Sequence, residues 1–250
     1  MEKQKKVLAV IPARYASTRF PGKVIQKIGS LPMIQYVYEA VRSAKMVDQI
    51  IIATEDERVR EVVKGFGAEC IITSEEHKSG TDRVAEVANL FPEYEIVVNV
   101  QGDEPGIEPS LIDGVILEKL QHPEWEVATA VRPFKENEDP LQPNRVKAVI
   151  TKKRRALYFS RSLIPFPRNN LHHTVYLHLG IYAYDRDFLL HFTTLPRSVF
   201  EEVESLEQLR VLENDYNIGV YITDDSLPGV DTPEDLKLIT EIFRKSNKLK

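Results

Sequence analysis

Through its first hundred residues this chain alternates short, unbroken apolar runs with helical patterns, and that alternation constrains the fold more than anything else in the sequence. Val7-Leu8-Ala9-Val10-Ile11 has no polar position, as expected of a strand buried on both faces of a parallel sheet. Leu31 to Lys45 reads as a helix, with Ile34, Val37, Tyr38 and Val41 on one stripe. Ile50-Ile51-Ile52-Ala53 is the next strand, and Thr54 and Glu57 after it have the capping-box spacing for a helix carrying Val59, Val62 and Val63. Cys70-Ile71-Ile72 and Ile96-Val97-Val98-Asn99-Val100 are the third and fourth strands. Such strand–helix alternation predicts a doubly wound, mostly parallel sheet with right-handed crossovers.

The second half is less regular. Val127 to Val131, Val146 to Ile150, Ala156 to Phe159 and Gly180 to Tyr184 read as strands. Ser205 and Gln208 have capping-box spacing for a helix with Leu206, Leu209 and Leu212 on its buried stripe. Asp231-Thr232-Pro233-Glu234 opens the last helix, whose apolar stripe is Leu236, Ile239 and Phe243. Pro133 to Asn144, rich in prolines, acids and amides, is a loop and not a domain boundary. The expectation is one α/β domain in which a smaller, mixed-sheet subdomain is inserted in the second half.

Net charge bounds the partners. At −5 and a pI near 5.8 the chain has no general pull toward nucleic acid or anionic lipid, so any phosphate affinity must come from a local basic cluster. Cys70 is the only cysteine; it fits a reducing, cytoplasmic compartment and reads as a core residue. The charged start at residues 1–6 leads into too short an apolar run for a signal peptide or a membrane span, so no membrane insertion is expected.

The first strand runs into Pro12-Ala13-Arg14-Tyr15-Ala16-Ser17-Thr18-Arg19-Phe20-Pro21-Gly22-Lys23. Ligands of open α/β sheets bind beyond the carboxyl ends of strands, and Arg14, Arg19 and Lys23 together suit a triphosphate. The loop is no Walker A, because Ser17 stands where the first glycine belongs and Val24 follows the lysine. The fourth strand runs into Gln101-Gly102-Asp103-Glu104-Pro105, where Asp103 either holds Mg²⁺ or makes an Asx-type turn. Asp231 reads on its own as a helix N-cap. Ser79-Gly80-Thr81-Asp82-Arg83 is either a plain helix start or a set of backbone donors for an anion or base edge. Arg161 ends an apolar strand and calls for an acidic partner or a ligand, while His172 and His173 lack metal-ligand spacing and are taken as structural.

Taken together, these segments resemble the CMP-Kdo synthetases, the 3-deoxy-manno-octulosonate cytidylyltransferases. Ile11 to Lys23, Ser79 to Arg83 and Val98 to Pro105 carry the resemblance, with Pro143 to Lys147, Ala156 to Arg161, His178 to Tyr182, Leu206 to Arg210 and Val230 to Leu236. Their order holds from about Val7 to Ile242. The resemblance implies a nucleotidyltransferase-type fold, with a nucleotide-binding half over about residues 1–125 and a sugar-binding, dimer-forming half over about 126–245. It implies that Arg14, Arg19 and Lys23 hold the CTP phosphates, and that Ser79, Arg83 and Gln101, with Ser17 and Gly80, complete the nucleotide site. Asp103 and Asp231 would ligate Mg²⁺, against the cap reading of Asp231. Arg161, His178, Tyr182, Glu207 and Gln208 would line the sugar-acid pocket, with Arg161 facing the acid. Val24 and Gly106 depart from the family pattern, which commonly has proline and a larger apolar residue there.

The implied reaction is in-line attack by the anomeric hydroxyl of 3-deoxy-D-manno-octulosonate (Kdo) on the α-phosphorus of CTP. Pyrophosphate leaves, and the CMP-Kdo formed serves lipopolysaccharide assembly. Arg14, Lys23, Asp103 and Asp231 are the residues expected to carry the chemistry, by alignment and charge neutralisation, and no general base stands out. An 8-amino analogue of Kdo as substrate, or nucleotide binding without turnover, are the alternatives. A homodimer is expected from the resemblance and from the apolar, Tyr-rich second half.

Overall fold

The first apolar run becomes β1 (Val7–Pro12), buried at every position. The computed structural model describes all residues except 1–4, 17–19, 170–172, 225–226, 228 and 250. They fall into two compact units: Met1–Asp113 with Ser226–Lys250, and the inserted Gly114–Asp225.

In the first unit, β2 (Lys27–Ile28) and β3 (Leu31–Pro32) pair as a small antiparallel ribbon turning at Gly29, whose φ is 65°. The helix expected from Leu31 therefore begins only at Met33, as α1 (Met33–Ser43). Leu31 precedes a proline, which biases it to extended backbone, and pairing with Ile28 satisfies it there. After β4 (Gln49–Thr54), α2 (Glu57–Gly65) is capped by Asp56 and not by Thr54: Asp56 Oδ1 accepts from the Arg58 amide at 2.8 Å, while Thr54 Oγ1 accepts from the Asp56 amide at 3.2 Å. A turn at Thr54 thus displaces the expected capping box. β5 (Cys70–Ile72), α3 (Gly80–Leu90) and β6 (Ile96–Asn99) follow, and α4 (Pro109–Gln121) carries the chain into the second unit. Ser79 and Asp82 form a full capping box at the start of α3.

Strand order in this unit is β6-β1-β4-β5, all parallel. The chain steps outward from β1 to β5 and then returns to the opposite flank of β1 as β6. That reversal makes the carboxyl ends of β1 and β6 the switch point at which open α/β sheets take ligands. Cys70 lies on the outermost of these strands and is half-buried, so the core assignment from sequence was too strong. Desolvation still pushes its thiol up to about 11, which suits no nucleophile.

The second unit contains β7 (Val127–Pro133), β8 (Lys147–Ile150), β9 (Ala156–Ser160) and β10 (Tyr176–Asp185), then α5 (Arg186–Phe192), α6 (Val199–Glu204), α7 (Leu209–Glu213) and β11 (Ile218–Ile222). β7 pairs with β11 in parallel and with β10 antiparallel; β8 pairs with β10 and with β9, both antiparallel. The expected Ser205–Gln208 capping box does not form. Ser205 instead ends α6 in a left-handed conformation (φ 50°), and α7 starts at Leu209. Two carboxylate–guanidinium forks tie this unit internally: Arg210 to Glu201 at 2.7 and 2.6 Å, and Arg132 to Glu138 at 2.6 Å on both oxygens.

The last helix, α8 (Pro233–Lys245), belongs to the first unit. Its Ile239 and Phe243 are buried with Ile28, Met33, Tyr36 and Val230, and the Tyr36 and Phe243 rings stand 5.1 Å apart. Burying such side chains is worth about 1.5–3 kcal/mol each, enough to dock α8 against the ribbon and α1. Both units are α/β: β1, β4, β5 and β6 pair in parallel, whereas in the second unit β7–β11 is parallel and the β7–β10, β8–β10 and β8–β9 pairs are antiparallel, and no helix among the described residues is long and apolar enough to cross a membrane.

Candidate active site

The loop after β1 is held by the strand beside it. Tyr15 donates its amide to Glu55 Oε1 at 2.8 Å, and Gly22 donates to the Tyr15 carbonyl at 2.8 Å. Gly22 has φ 66°, and a Cβ there would stand 2.8 Å from the Tyr15 ring, so this turn requires glycine. Ser17 and Arg19 lie outside the described residues. Arg14 is exposed, whereas the Lys23 side chain is only 12% exposed.

Lys23 is the centre of the arrangement. Its Nζ lies 2.5 Å from Asp103 Oδ2 and 3.0 Å from Asp231 Oδ1. Desolvation alone would lower its pKa, but the two carboxylates outweigh that and hold it above the ordinary lysine value, so it stays cationic. Asp103 arrives here because Gly102 lets the chain pass close to β1: a Cβ at Gly102 would sit 2.8 Å from the Pro12 carbonyl oxygen. Asp231 arrives through the docking of α8 and a Val230 amide bond to the Asp103 carbonyl at 2.9 Å.

The cap reading of Asp231 is corrected by the same geometry. Thr232 caps α8, accepting from the Asp235 amide, and Asp235 Oδ2 accepts in return from the Thr232 amide at 2.9 Å. The Asp231 carboxylate is therefore not spent on the helix. Beside it, desolvation first, then the charges of Asp103 and Asp231, push the Glu104 carboxyl up to about 8.

Pro12, Arg14, Lys23, Ser79, Gly80, Arg83, Gln101, Asp103 and Asp231 line one pocket together with Val24 and His77. Gln101 is oriented by a bond from its Nε2 to Asn99 Oδ1 at 3.0 Å. Arg83 is buried, its Nη2 3.0 Å from Glu55 Oε2 and its Nη1 bonded to Thr73 Oγ1. Glu55 thus joins the loop after β1 to α3, a role the sequence reading missed. Its position just past β4, at the carboxyl end of a parallel strand, was the available signal. His77 was also missed; its Nε2 meets the Glu86 carboxylate.

Two carboxylate oxygens converging on one ammonium form a donor set that fits Mg²⁺, an ion commonly held by one or two carboxylates together with phosphate oxygens. A metal cage made wholly of protein does not fit, since no group of three or more His, Cys, Asp or Glu among the described residues is placed for one. Of the departures noted in the sequence, Val24 is buried, and the room beside Gly106 is filled by Leu227, whose Cβ lies 2.6 Å from where a Gly106 Cβ would be.

In the second unit, Arg161 turns out to rest on main-chain carbonyls and not on a carboxylate. Nε donates to Glu204 O at 2.7 Å, Nη1 to Pro143 O at 3.1 Å and Nη2 to Ser205 O at 3.2 Å. Three carbonyl dipoles orient the fork while leaving part of its five-donor capacity unused. Glu204, also missed, accepts from Ser160 Oγ at 2.5 Å and from the Arg161 amide at 2.9 Å. Fully buried Lys147 donates to the carbonyls of Gln142 and Arg161. His178 packs edge-on to Phe159 at 4.9 Å and tilted against Tyr182 at 5.6 Å, and desolvation pulls its pKa down to about 3. Glu207 is half-buried; Gln208 is buried, its Nε2 without a hydrogen-bond partner among the described residues. His172 lies outside the described residues, so its structural reading is not reached.

Known proteins resemble the chain over nearly its whole length. Residues 8–218 match the model of the cytidylyltransferase family. The chain is 52% identical over 243 residues to the 3-deoxy-manno-octulosonate cytidylyltransferase of Leptospira interrogans, covering 96% of this chain and 97% of that protein. It is 47% identical over 243 residues to the protein of the same name from Solibacter usitatus, covering 97% and 96%. Among solved structures, CMP:2-keto-3-deoxy-manno-octonic acid synthetase complexed with CTP superimposes with a TM-score of 0.93 at 41% identity, over 97% of this chain and 100% of that one. A 4-diphosphocytidyl-2C-methyl-D-erythritol synthase from Anaerococcus prevotii, 14% identical with a TM-score of 0.66, shares the fold alone. With near-complete coverage, the nucleotidyltransferase-type α/β fold holds, and the chain belongs to the cytidylyltransferase family, among the 3-deoxy-manno-octulosonate cytidylyltransferases.

Proposed function

We propose that this protein transfers CMP from CTP to the anomeric hydroxyl of Kdo, forming CMP-Kdo and releasing pyrophosphate. The observation that carries the reading is the meeting of Lys23, Asp103 and Asp231 beyond β1 and β6. A chain that only bound nucleotide would have no need of two carboxylates beside a phosphate-binding cation. Arg14 and Lys23 neutralise the triphosphate and the departing pyrophosphate. Ser79, Gly80, Arg83 and Gln101 take the nucleoside end, with Arg83 braced by Glu55.

Asp103 and Asp231 would hold Mg²⁺, which when bound supplies charge neutralisation at the phosphates and acidifies a hydroxyl close to it. The new bond joins the anomeric oxygen to the α-phosphorus, the bond from that phosphorus to the pyrophosphate oxygen breaks, and the hydroxyl proton passes to solvent. In the second unit, the Arg161 fork is the donor for the sugar carboxylate, with His178, Tyr182, Glu207 and Gln208 around the hydroxyls.

The same reading makes the protein a cytoplasmic homodimer that supplies lipopolysaccharide assembly. Support for the dimer is a set of exposed apolar side chains on the second unit: Leu157 at 51%, Phe166 at 82%, Val199 at 68% and Val203 at 77%. A half-buried lone cysteine suits a reducing compartment. The test is pyrophosphate release from CTP, UTP, GTP and ATP, each with Kdo, 8-amino-Kdo and a neutral sugar. Release confined to CTP with Kdo supports the reading; release with the 8-amino sugar in preference changes the substrate, and release with the neutral sugar removes the acid.

A further inference from the structure

An irregularity in β10 gives one hydroxyl a defined direction. Pairing with β7 slips between Leu179 and Tyr182: Leu179 faces Ala130 and Tyr182 faces Thr129, which leaves Gly180 and Ile181 outside the register. A bulge frees main-chain carbonyls from the ladder, and a buried carbonyl needs a donor. Thr129, fully buried, provides it, with Oγ1 2.8 Å from the Ile181 carbonyl oxygen and 3.3 Å from that of Leu179. The same Oγ1 lies 3.0 Å from His178 Nε2.

One proton has to serve these contacts. A threonine hydroxyl donates once, and carbonyl oxygens only accept, so the proton points into the bulge. The contact with His178 then requires Nε2 to be the donor. The neutral imidazole is thereby held with its proton on Nε2, and Nδ1 carries the lone pair, with no hydrogen-bond partner among the described residues.

We propose that Thr129 is a positioning residue: it sets the Nε2–H tautomer of His178 and so presents Nδ1 as an acceptor for a hydroxyl of the sugar acid. The substrate half of this inference rests on the reading that His178 lines the sugar pocket; the tautomer half stands on the bulge alone. Desolvation of the ring, which keeps it neutral, agrees with an acceptor and not with a cation facing the carboxylate. Carboxylate recognition then falls to Arg161, and the two side chains read different groups of one substrate.

Long-range ¹H–¹⁵N correlation spectra of the ligand-free protein at neutral pH test the first half. The expected spectrum shows a protonated Nε2 and a bare Nδ1 for His178; a protonated Nδ1, alone or with Nε2, overturns the inference whatever the substrate proves to be. Thr129→Val keeps the shape and removes the hydroxyl. It is expected to mix the tautomers and to raise the KM for the sugar acid on the order of tenfold, with the KM for CTP unchanged. Thr129→Ser, which restores the hydroxyl, is expected to recover both the tautomer and the sugar KM, and mixed tautomers in that variant overturn the inference even if the valine variant does not fold. An unchanged sugar KM in a folded Thr129→Val protein with mixed tautomers overturns the substrate half. Failure of the wild type to use any sugar acid, with the tautomer as expected, overturns the reading of the pocket and leaves the Thr129–His178 contact standing.

Discussion

Asp231 and Thr232 are neighbours with separable tasks. Thr232 closes the start of α8, and Asp231 faces Lys23. Thr232→Ala is expected to lower unfolding free energy by about 1 kcal/mol, the usual value of a lost cap, with kcat unchanged. Asp231→Asn is expected to leave the denaturant midpoint nearly unmoved and to lower kcat at least about a hundredfold, since the carboxylate proposed to hold Mg²⁺ loses its charge where transition-state charge would develop. Near-normal kcat in Asp231→Asn, or lost turnover in Thr232→Ala, reverses the assignment. Arg161 makes a second residue-level case. Lysine cannot reproduce a fork held by three carbonyls, so Arg161→Lys is expected to raise the KM for the sugar acid about tenfold while the KM for CTP stays put. Equal sugar KM values for the two proteins discard its role. From the sequence, Asp103 and Lys23 were legible because each follows a buried strand. Asp231 was ambiguous because its partners lie far away in the chain, and Glu55 stands between Thr54 and Asp56 with no motif of its own.

Elements were legible where their signals are local. Continuous apolar runs placed β1, β4 and β6, and cap chemistry announced the start of α8, although the cap is Thr232 and not Asp231 as the sequence suggested. One spacing admits two roles at Ser205, which adopts a left-handed conformation and ends α6; the Ser198–Glu201 capping box that opens that helix is the stronger signal, and the sequence reading passed over it. The bulge in β10 was equally invisible, since it depends on pairing with β7. The loop between β7 and β8 carries an electrostatic prediction. The Arg132 fork above all, against desolvation and with help from the Lys135 amide and Arg145, pulls the Glu138 carboxyl from the ordinary 4.5 down to about 2. A carboxylate depressed in the folded state adds stability that is present above its unfolded pKa and is lost as pH falls through the folded value. Glu138→Gln is therefore expected to remove on the order of 1–3 kcal/mol of stability at neutral pH and to flatten the loss between about pH 4.5 and 2. Denaturant melts across that range check it, and an unchanged slope contradicts it.

At the scale of the whole molecule, the family was legible because its motifs recur in order along nearly the full chain, whereas assembly was not written in any motif. The exposed Leu157, Phe166, Val199 and Val203 favour a second copy of the chain as their cover. Light scattering at micromolar concentration is expected to give the mass of a dimer, and Phe166→Asp with Val203→Asp to shift it toward a monomer; a monomer mass for the wild type contradicts the dimer. The bond that is made joins the anomeric oxygen of Kdo to the α-phosphorus of CTP. Phosphorus NMR of the protein with CTP, Kdo and Mg²⁺ follows that bond directly. The β-phosphate signal of CTP is expected to decay while pyrophosphate and one phosphodiester, that of CMP-Kdo, grow in equal amounts, with neither formed by Asp103→Asn. Growth of CDP and inorganic phosphate, or of CMP with no sugar phosphodiester, would contradict it.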